Sequence, residues 1–247
     1  MRIAAIYDIH GNLPALEAVL DEIRLAQVDL VVVGGDVIPG PMPCETLASV
    51  LSLGVPTQFL YGNCEVAVLE QLAGRDPAGV PEPFRPIIRW TAQQIAEYRT
   101  AIAAWPKTIT LRVPDLGNVL FCHGTPRNED EVFTRATPEH RLLPVFDAVD
   151  ADLVVCGHTH MQFDRVIGNR RVVNAGSVGM PFGEPGAYWL LLGPGVQLRR
   201  TPYDLAKAAR RISETDYPGA ADFAAQNVLQ PPTEAAMLEV FARAEVK

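Results

Sequence analysis

The chain has 247 residues, and its 29 acidic against 21 basic side chains give a formal net charge of -8. This length is sufficient for a substantial buried core, and we predict a single domain over residues 1–247. The acidic balance disfavours a broad nucleic-acid interface or an anionic membrane surface, since both need basic patches. No apolar run approaches the roughly 18 residues of a membrane span.

The chain starts on a strand-like segment, residues 2–7, without the pattern of a secretory signal. Its four cysteines are widely spaced and form no Cys-x-x-Cys pair. We therefore expect a cytoplasmic protein without disulfides.

Apolar segments alternate with segments of helical period through the first two-thirds of the chain, as in a sheet covered by helices. Strands are predicted at 2–7, 30–33 and 57–61. Helices are predicted after the cap Asn12, over 44–53, and from Glu65 onward. Each of these strands ends directly before a polar segment that contains glycine.

Residues 74–86 contain four prolines, which predicts an irregular connection before a helix over 87–103. We interpret 74–105 as a helical cap insertion. Strands are then predicted at 108–113, 119–122 and 153–156, with a helix over 138–149 between the last two.

Beyond residue 160 the pattern changes to short strands and tight turns, with strands predicted at 161–167, 170–174, 187–192 and 196–201. The tail has a helical pattern over 204–212 and 233–244, and we interpret 203–247 as a C-terminal helical extension. The whole pattern predicts an α/β fold. The sequence leaves open whether the last helix packs on its own domain or on a second subunit of a homo-oligomer.

Five polar segments follow predicted strands, and they carry side chains that bind metal ions. Four of the five histidines fall within them. Residues i and i+2 leave a strand end on the same side, so an Asp-x-His or His-x-His pair aims two ligands at one pocket. Carboxylate, amide and imidazole groups suit manganese, iron or zinc. The predicted metal ligands are Asp8, His10, Asp36, Asn63, His123, His158 and His160.

Asp36 is the predicted shared ligand. A carboxylate between two ions holds them roughly 3.5–4 Å apart, so that both polarise one phosphoryl group and a bridging water becomes hydroxide. This predicts hydrolysis of a phosphoester by a metal-held water rather than by a covalent enzyme nucleophile. The predicted catalytic residues are Asp36, Asn63 and His123.

With these five segments in this order, the chain resembles the calcineurin-like metallophosphoesterase superfamily over residues 1–192, in the branch of small bacterial and archaeal phosphodiesterases. The resemblance implies a four-layer α/β/β/α sandwich of two mixed β-sheets flanked by helices. It also implies two divalent ions, of which manganese is favoured and iron, zinc or nickel are alternatives. One ion would be held by Asp8, His10, Asp36 and His160, and the other by Asp36, Asn63, His123 and His158.

Cys64 stands where the wider superfamily commonly has a histidine that assists the leaving group. A thiol is a poor substitute for an imidazole as a general acid. We therefore expect better activity on aryl or nucleotide-type phosphodiesters than on alkyl monoesters. Three interpretations of Cys64 stay open: a small, partly buried residue, which we favour, a metal ligand, or a redox-sensitive brake.

Arg127 and Asn63 are candidate substrate-binding residues, since arginine binds phosphate through two hydrogen bonds. Arg127 has the alternative of pairing with one of the acidic residues at 129–131, which we favour slightly. Glu65 is interpreted as a helix-start charge rather than a catalytic base.

The predicted function is a dinuclear-metal-dependent phosphoesterase, in the first place a phosphodiesterase that acts on a small phosphorylated substrate. The alternatives are a phosphomonoesterase or nucleotide pyrophosphatase with the same centre, or a non-catalytic protein-binding scaffold of this fold. Neither a membrane nor a nucleic acid is expected as a partner.

Overall fold

The computed structural model describes residues 1–246, and these residues form ten β-strands. In chain order the strands are β1 (Ile3–Ile6), β2 (Leu30–Val33), β3 (Thr57–Phe59), β4 (Thr108–Val113), β5 (Gly117–Cys122), β6 (Leu153–Cys156), β7 (Phe163–Ile167), β8 (Arg170–Asn174), β9 (Ala187–Leu192) and β10 (Val196–Thr201). They form two five-stranded sheets with the orders β10-β9-β1-β2-β3 and β4-β5-β6-β8-β7.

The helices flank these sheets. They are α1 (Leu13–Ala26), α2 (Pro43–Leu51), α3 (Asn63–Leu72), α4 (Arg85–Gln94), α5 (Arg99–Ala103), α6 (Glu139–Phe146), α7 (Leu205–Ser213), α8 (Ala220–Phe223), a π-helical turn (Ala224–Leu229) and α9 (Glu234–Phe241). The side chains of Asn12, Asp204 and Thr233 cap α1, α7 and α9 by accepting hydrogen bonds from backbone N–H groups. Within residues 1–246, no helix is long and apolar enough to cross a membrane.

Alternation along β1 builds two of the three cores. Ala4 and Ile6 belong to the core between the first sheet and the helices, which also buries Leu16 of α1. Ala5 belongs to the core between the two sheets, where it meets Phe121 of β5. Successive side chains of a strand point to opposite faces, so this single strand connects both layers.

The third core lies on the outer face of the second sheet. Leu142 and Phe146 of α6 pack there with Val154 of β6 and Val172 of β8. Helices, sheet, sheet and helix therefore succeed one another as four layers. The predicted α/β/β/α sandwich of two mixed sheets is confirmed.

Parallel pairing decides where the predicted ligands meet. β1 pairs with β2 and β2 with β3 in parallel, and β5 pairs with β6 in the same way. Parallel strands present their carboxyl ends at one edge of a sheet, and ligands of open α/β sheets bind at that edge. The polar segments that follow these strands are thus brought to two facing edges.

Two helical predictions need correction, and one helical segment was not predicted. The helix predicted over 87–103 is interrupted at Ile95, whose φ of -102° and ψ of 18° leave the helical region. Ile95 is fully buried, and the turn there lets Ile88 of α4 and Ile102 of α5 reach the same helix-side core. Tertiary packing here overrides the local helical pattern. Helix α3 begins at Asn63 rather than Glu65, and the helical turns over 220–229 were not predicted.

Most strand predictions agree with the structure, with identical bounds for β2, β4, β6, β8, β9 and β10. The predicted C-terminal extension holds α7, α8 and α9, and its last residue, Lys247, lies outside the described residues.

We expect the core between the sheets to dominate stability. Leu190 of β9 is fully buried there, whereas Leu25 of α1 is 84% exposed. Leu190→Ala should lower the free energy of unfolding by about 2–5 kcal/mol, because it removes buried methyl groups and leaves a cavity. The matched control Leu25→Ala should change it by less than about 0.5 kcal/mol. Urea unfolding followed by far-UV circular dichroism measures both, and equal losses would contradict the layer assignment.

Candidate metal centre

Six of the seven predicted ligands form two groups at the strand ends. Asp8, His10 and His160 offer one ligand atom each within 4.8 Å of one another. Asp36, His123 and His158 form a second group of the same kind.

In the first group, Nε2 of His160 lies 3.2 Å from Oδ1 of Asp8 and 3.2 Å from Nε2 of His10. Asp8 and His10 follow β1, whereas His160 follows β6 of the other sheet. The group therefore joins the two sheets across their facing edges.

Asp36 lies between the two groups. Its Oδ2 is 3.4 Å from Nε2 of His123 and 3.7 Å from Nε2 of His10. Its other oxygen, Oδ1, accepts a hydrogen bond from the backbone N–H of Cys64 at 3.0 Å. Asn63, the seventh predicted ligand, directly precedes Cys64 at the start of α3.

The backbone at these ligands is unusual. Within residues 1–246, seven residues other than glycine have positive φ, and five of them are predicted ligands. Such conformations are uncommon for residues with a Cβ atom and cluster at functional sites. The five ligands are Asp8, His10, Asp36, His158 and His160, with φ between 47° and 66°.

Two glycines permit close approach to the carboxylates. A Cβ atom on Gly62 would collide with Oδ1 of Asp36, and one on Gly157 would lie 2.5 Å from Oδ2 of Asp8. Side chains at these two positions would displace the ligands.

Backbone carbonyls orient two of the imidazoles. Nδ1 of His123 lies 2.9 Å from the carbonyl oxygen of Gly34, and Nδ1 of His160 lies 2.7 Å from that of Met180. A carbonyl only accepts hydrogen bonds, so Nδ1 carries the proton in each ring. Nε2 is then the ring atom that faces the site, as ligating histidines require. Burial lowers the pKa of His123, but the Asp36 and Asp8 carboxylates outweigh it and raise this pKa to about 10, so a bound metal ion would displace a proton from Nε2.

Four buried ligand atoms have no hydrogen-bond partner. Leaving such atoms unpaired costs roughly 1–3 kcal/mol each, and a bound cation would satisfy all four. The residues present therefore fit a metal centre. The atoms are Oδ1 of Asp8, Oδ1 of Asn63, Nε2 of His123 and Nε2 of His158.

Burial and neighbouring charges shift the pKa values of the titratable groups in the site. Burial raises the pKa of Asp36, but the His123 and His10 imidazoles outweigh it and hold this pKa below its usual range. Burial lowers the pKa of His158 and of His10 to about 4 in each case, so both rings are neutral at pH 7. Neutral imidazoles are the form that binds metals.

Glu65 is the functional residue that sequence reasoning missed. Its carboxylate is fully buried and accepts hydrogen bonds from the backbone N–H groups of Asp36 and Gly62, at 2.8 and 2.7 Å. Its other oxygen accepts from Val37 at 2.8 Å and Ile38 at 3.3 Å. Glu65 thus holds the loop that carries Asp36 against the start of α3. In the sequence, only the position of Glu65 close after Gly62-Asn63 indicated that it contributes to the site.

Cys64 lies at the border of the site. Its Sγ is within 4.8 Å of ligand atoms of His10 and Asp36. Burial and the neighbouring Asp36 carboxylate raise the pKa of its thiol well above the usual value. The group is therefore a neutral thiol at pH 7.

Arg127 is engaged elsewhere. Its guanidinium pairs with the Glu131 carboxylate, with Nη2 to Oε1 at 2.6 Å and Nε to Oε1 at 2.9 Å. This is the pairing alternative weighed for Arg127, with Glu131 as the partner.

The C-terminal helix reaches the site through stacked aromatic rings. The Phe182 ring stacks on His160 with centroids 5.2 Å apart, and Phe241 of α9 contacts Phe182 at 6.0 Å. The backbone N–H of Gly183 also donates to the carbonyl of Pro232 at 2.8 Å. The tail therefore supports a predicted metal ligand, which no local pattern indicated.

We expect Glu65→Gln to weaken metal binding. The amide side chain replaces one accepting oxygen with an N–H donor that faces backbone N–H groups, so the Asp36 loop loses its support. Residues that orient ligands in this way typically contribute about 10–100-fold in metal affinity. Calorimetric titration of metal-stripped protein with Mn²⁺ measures the effect. Glu70→Gln, the same change on the same helix, should leave the affinity within about twofold, and an equal loss there would contradict this role.

Several known proteins are similar to this chain. A protein of Methanocaldococcus jannaschii, described as uncharacterized, is 27% identical over 238 residues, covering 87% of this chain and 93% of that protein. The crystal structure of a metallophosphoesterase from Sphaerobacter thermophilus is 27% identical with a TM-score of 0.71, covering 91% of this chain and 98% of its own. A hypothetical protein from Pyrococcus horikoshii shares the fold, with 18% identity, a TM-score of 0.76 and coverage of 90% and 97%.

A family model described as the calcineurin-like phosphoesterase superfamily domain matches residues 1–192, which include all seven predicted ligands. This match covers more than three-quarters of the chain. The chain therefore belongs to the calcineurin-like phosphoesterase superfamily and is a metal-dependent hydrolase of phosphate esters.

Proposed function

We propose that the protein is a dinuclear phosphodiesterase. The observation that carries the proposal is the position of Asp36, whose Oδ2 lies 3.7 Å from His10 in one ligand group and 3.4 Å from His123 in the other. One carboxylate between two ligand groups is the arrangement of a two-metal site.

Asp8, His10, Asp36 and His160 would hold one ion, and Asp36, Asn63, His123 and His158 the other. The donors are oxygen and imidazole nitrogen, which suit manganese and also iron, zinc or nickel. Bound divalent ions supply Lewis acidity and lower the pKa of water towards neutrality.

The protein's own contribution is to hold geometry and charge. Carbonyl oxygens of Gly34 and Met180 fix the tautomers of His123 and His160. Glu65 holds the Asp36 loop, and both sheets contribute ligands. Positions fixed in this way cost no reorganisation when charge develops on the phosphoryl group.

The neutral Cys64 thiol supports a preference for diesters with good leaving groups. An alkoxide needs a proton as it departs, and a thiol whose pKa is raised by burial and by Asp36 is a weak acid for that purpose. Aryl and nucleotide-type diesters depart with less assistance.

The unpaired ligand atoms argue against a non-catalytic scaffold. Four buried ligand atoms without partners destabilise the fold unless a cation binds. A scaffold needs only the fold and gains nothing from retaining them.

The first test is hydrolysis of bis-p-nitrophenyl phosphate beside p-nitrophenyl phosphate by metal-stripped protein reloaded with manganese. We expect manganese-dependent turnover of the diester to exceed that of the monoester. Asp36→Asn should abolish diester turnover, because it removes the charge shared by the two ligand groups. The exposed Asp21→Asn on α1 is the matched control and should retain it. A manganese-loaded protein that is inert towards both esters would contradict the proposal.

The role of position 64 has its own test. Cys64→His should raise kcat/KM for methyl phosphate relative to p-nitrophenyl phosphate, because an imidazole can protonate an alkoxide. General-acid assistance is typically about 10²–10⁴-fold when well placed, so we expect a relative gain of at least about tenfold. Cys64→Ser, which adds no acid, should show none. Equal effects of the two substitutions on both esters would contradict this explanation.

A further inference from the structure

A cavity of about 520 Å³ opens beside the metal centre. Asn63 and Cys64 form one side of it, so it communicates with the predicted ligands. The opposite walls come from the segment before α4, from α4 itself and from the loop after His123, represented by Val80, Phe84 and Asp130. We call this space the cap-side cavity. Its volume lies within the roughly 300–1,000 Å³ range of small-molecule sites.

One wall of the cap-side cavity is apolar. Val80, Phe84, Ile87 and Ile88 line it. Phe84 is 56% exposed, so much of its ring surface is accessible to a ligand in the cavity. An aromatic ring of a ligand would cover it by stacking.

The charged groups of the cap-side cavity are all acidic. Its lining includes Glu70, Glu129 and Asp130 and, among residues 1–246, contains no lysine, arginine or histidine. Lys107 pairs with the lining residue Glu129 at 2.8 Å, and Arg127 is held by Glu131, so both cations are engaged by carboxylates, and Glu70 and Asp130 are the lining carboxylates without such a partner among residues 1–246. A ligand group that carries hydrogen-bond donors is favoured here, whereas an anionic group is repelled.

We infer that the cap-side cavity binds one ester arm of the substrate, and that this arm is an uncharged aromatic group with hydrogen-bond donors, such as a nucleoside. The inference rests on the proposed phosphodiesterase function and names its substrate class. The scissile phosphate lies at the metal ligands, and the arm extends past Asn63 and Cys64 between Phe84 and Asp130. A second phosphate on that arm meets carboxylates and no cation.

This chemistry separates the phosphodiesterase from a nucleotide pyrophosphatase. The substrate of a pyrophosphatase carries a second phosphoryl group next to the scissile one. In the cap-side cavity that group would find no basic side chain to replace its hydration.

Two diesters with the same leaving group test the inference. They are thymidine 5′-(p-nitrophenyl phosphate) and its 3′-phosphorylated counterpart, with bis-p-nitrophenyl phosphate as the reference. We expect kcat/KM of the manganese-loaded enzyme to be at least about tenfold higher for the first than for the second, since like charges brought together cost binding energy.

Reversing the charge of Asp130 should increase activity on the 3′-phosphorylated diester. Asp130 is an exposed loop residue of the cavity lining, so Asp130→Lys places a cation in the cap-side cavity and should leave the far-UV circular dichroism spectrum of the fold unchanged. It should raise kcat/KM for the 3′-phosphorylated diester by about tenfold relative to the unphosphorylated one. Asp222→Lys, the same change at an exposed position outside the cavity lining, is the matched control and should leave the ratio unaltered.

The apolar wall is tested separately. Phe84→Ala should raise KM for thymidine 5′-(p-nitrophenyl phosphate) by about tenfold with kcat retained, since base stacking on an aromatic side chain contributes roughly 1–3 kcal/mol. Its effect on manganese affinity should be within about twofold.

The outcomes distinguish the two proposals. If bis-p-nitrophenyl phosphate is hydrolysed but both thymidine diesters react equally, and Asp130→Lys leaves their ratio unchanged, the cavity assignment is wrong and the phosphodiesterase stands. If the manganese-loaded enzyme hydrolyses none of the three diesters, the proposed function fails and the cavity assignment with it.

Discussion

Two buried carboxylates determine how this structure is assembled. Asp8 and Asp36 end the central strands β1 and β2, and each is stabilised in the interior by a backbone N–H from a distant segment. Oδ2 of Asp8 accepts from His158 at 2.9 Å, and Oδ1 of Asp36 accepts from Cys64 at 3.0 Å. Burying a carboxylate without such partners is costly. The bonds therefore tie the second sheet and helix α3 to the strand ends and leave the remaining oxygens directed at the imidazoles.

The predicted metal ligands have strained backbone conformations, and the packing around them stabilises the fold. Within residues 1–246, five predicted ligands have left-handed backbone conformations, and four buried atoms of predicted ligands lack hydrogen-bond partners. Left-handed conformations cost of order 1–3 kcal/mol each and persist only when the surrounding structure enforces them. The surrounding structure that enforces them here is the core between the sheets together with Glu65, whose carboxylate accepts N–H groups of the Asp36 loop and of Gly62. The geometry of the predicted ligands therefore depends on the rigid packing of the layers.

The predicted metal ligands and the cap-side cavity differ in chemistry and suit different parts of a substrate. Imidazoles and carboxylates at the strand ends suit a phosphoryl group through bound cations, whereas the cap-side cavity presents an apolar wall and carboxylates. A substrate with one phosphate and one uncharged arm satisfies both surfaces. The C-terminal helix contributes on the other side, since Phe241 supports Phe182 and Phe182 stacks on His160. The extension therefore stabilises the site rather than merely following the phosphoesterase region.

The sequence by itself predicted the positions of the strands and proposed the ligand residues, because both depend on local patterns. Apolar runs placed strands such as β2 and β6 with the observed bounds, and the pairs Asp8/His10 and His158/His160 marked the strand ends. Only the tertiary structure decided what distant residues do together. Glu65 has the local pattern of a helix-start charge and accepts from Gly62 as that pattern predicts, yet its other three hydrogen-bond partners lie 27 to 29 positions away. Ile95 breaks a helical pattern because the core needs it buried. The cap-side cavity forms between segments that are distant in the sequence, and contacts of this kind produce no periodic pattern of residues.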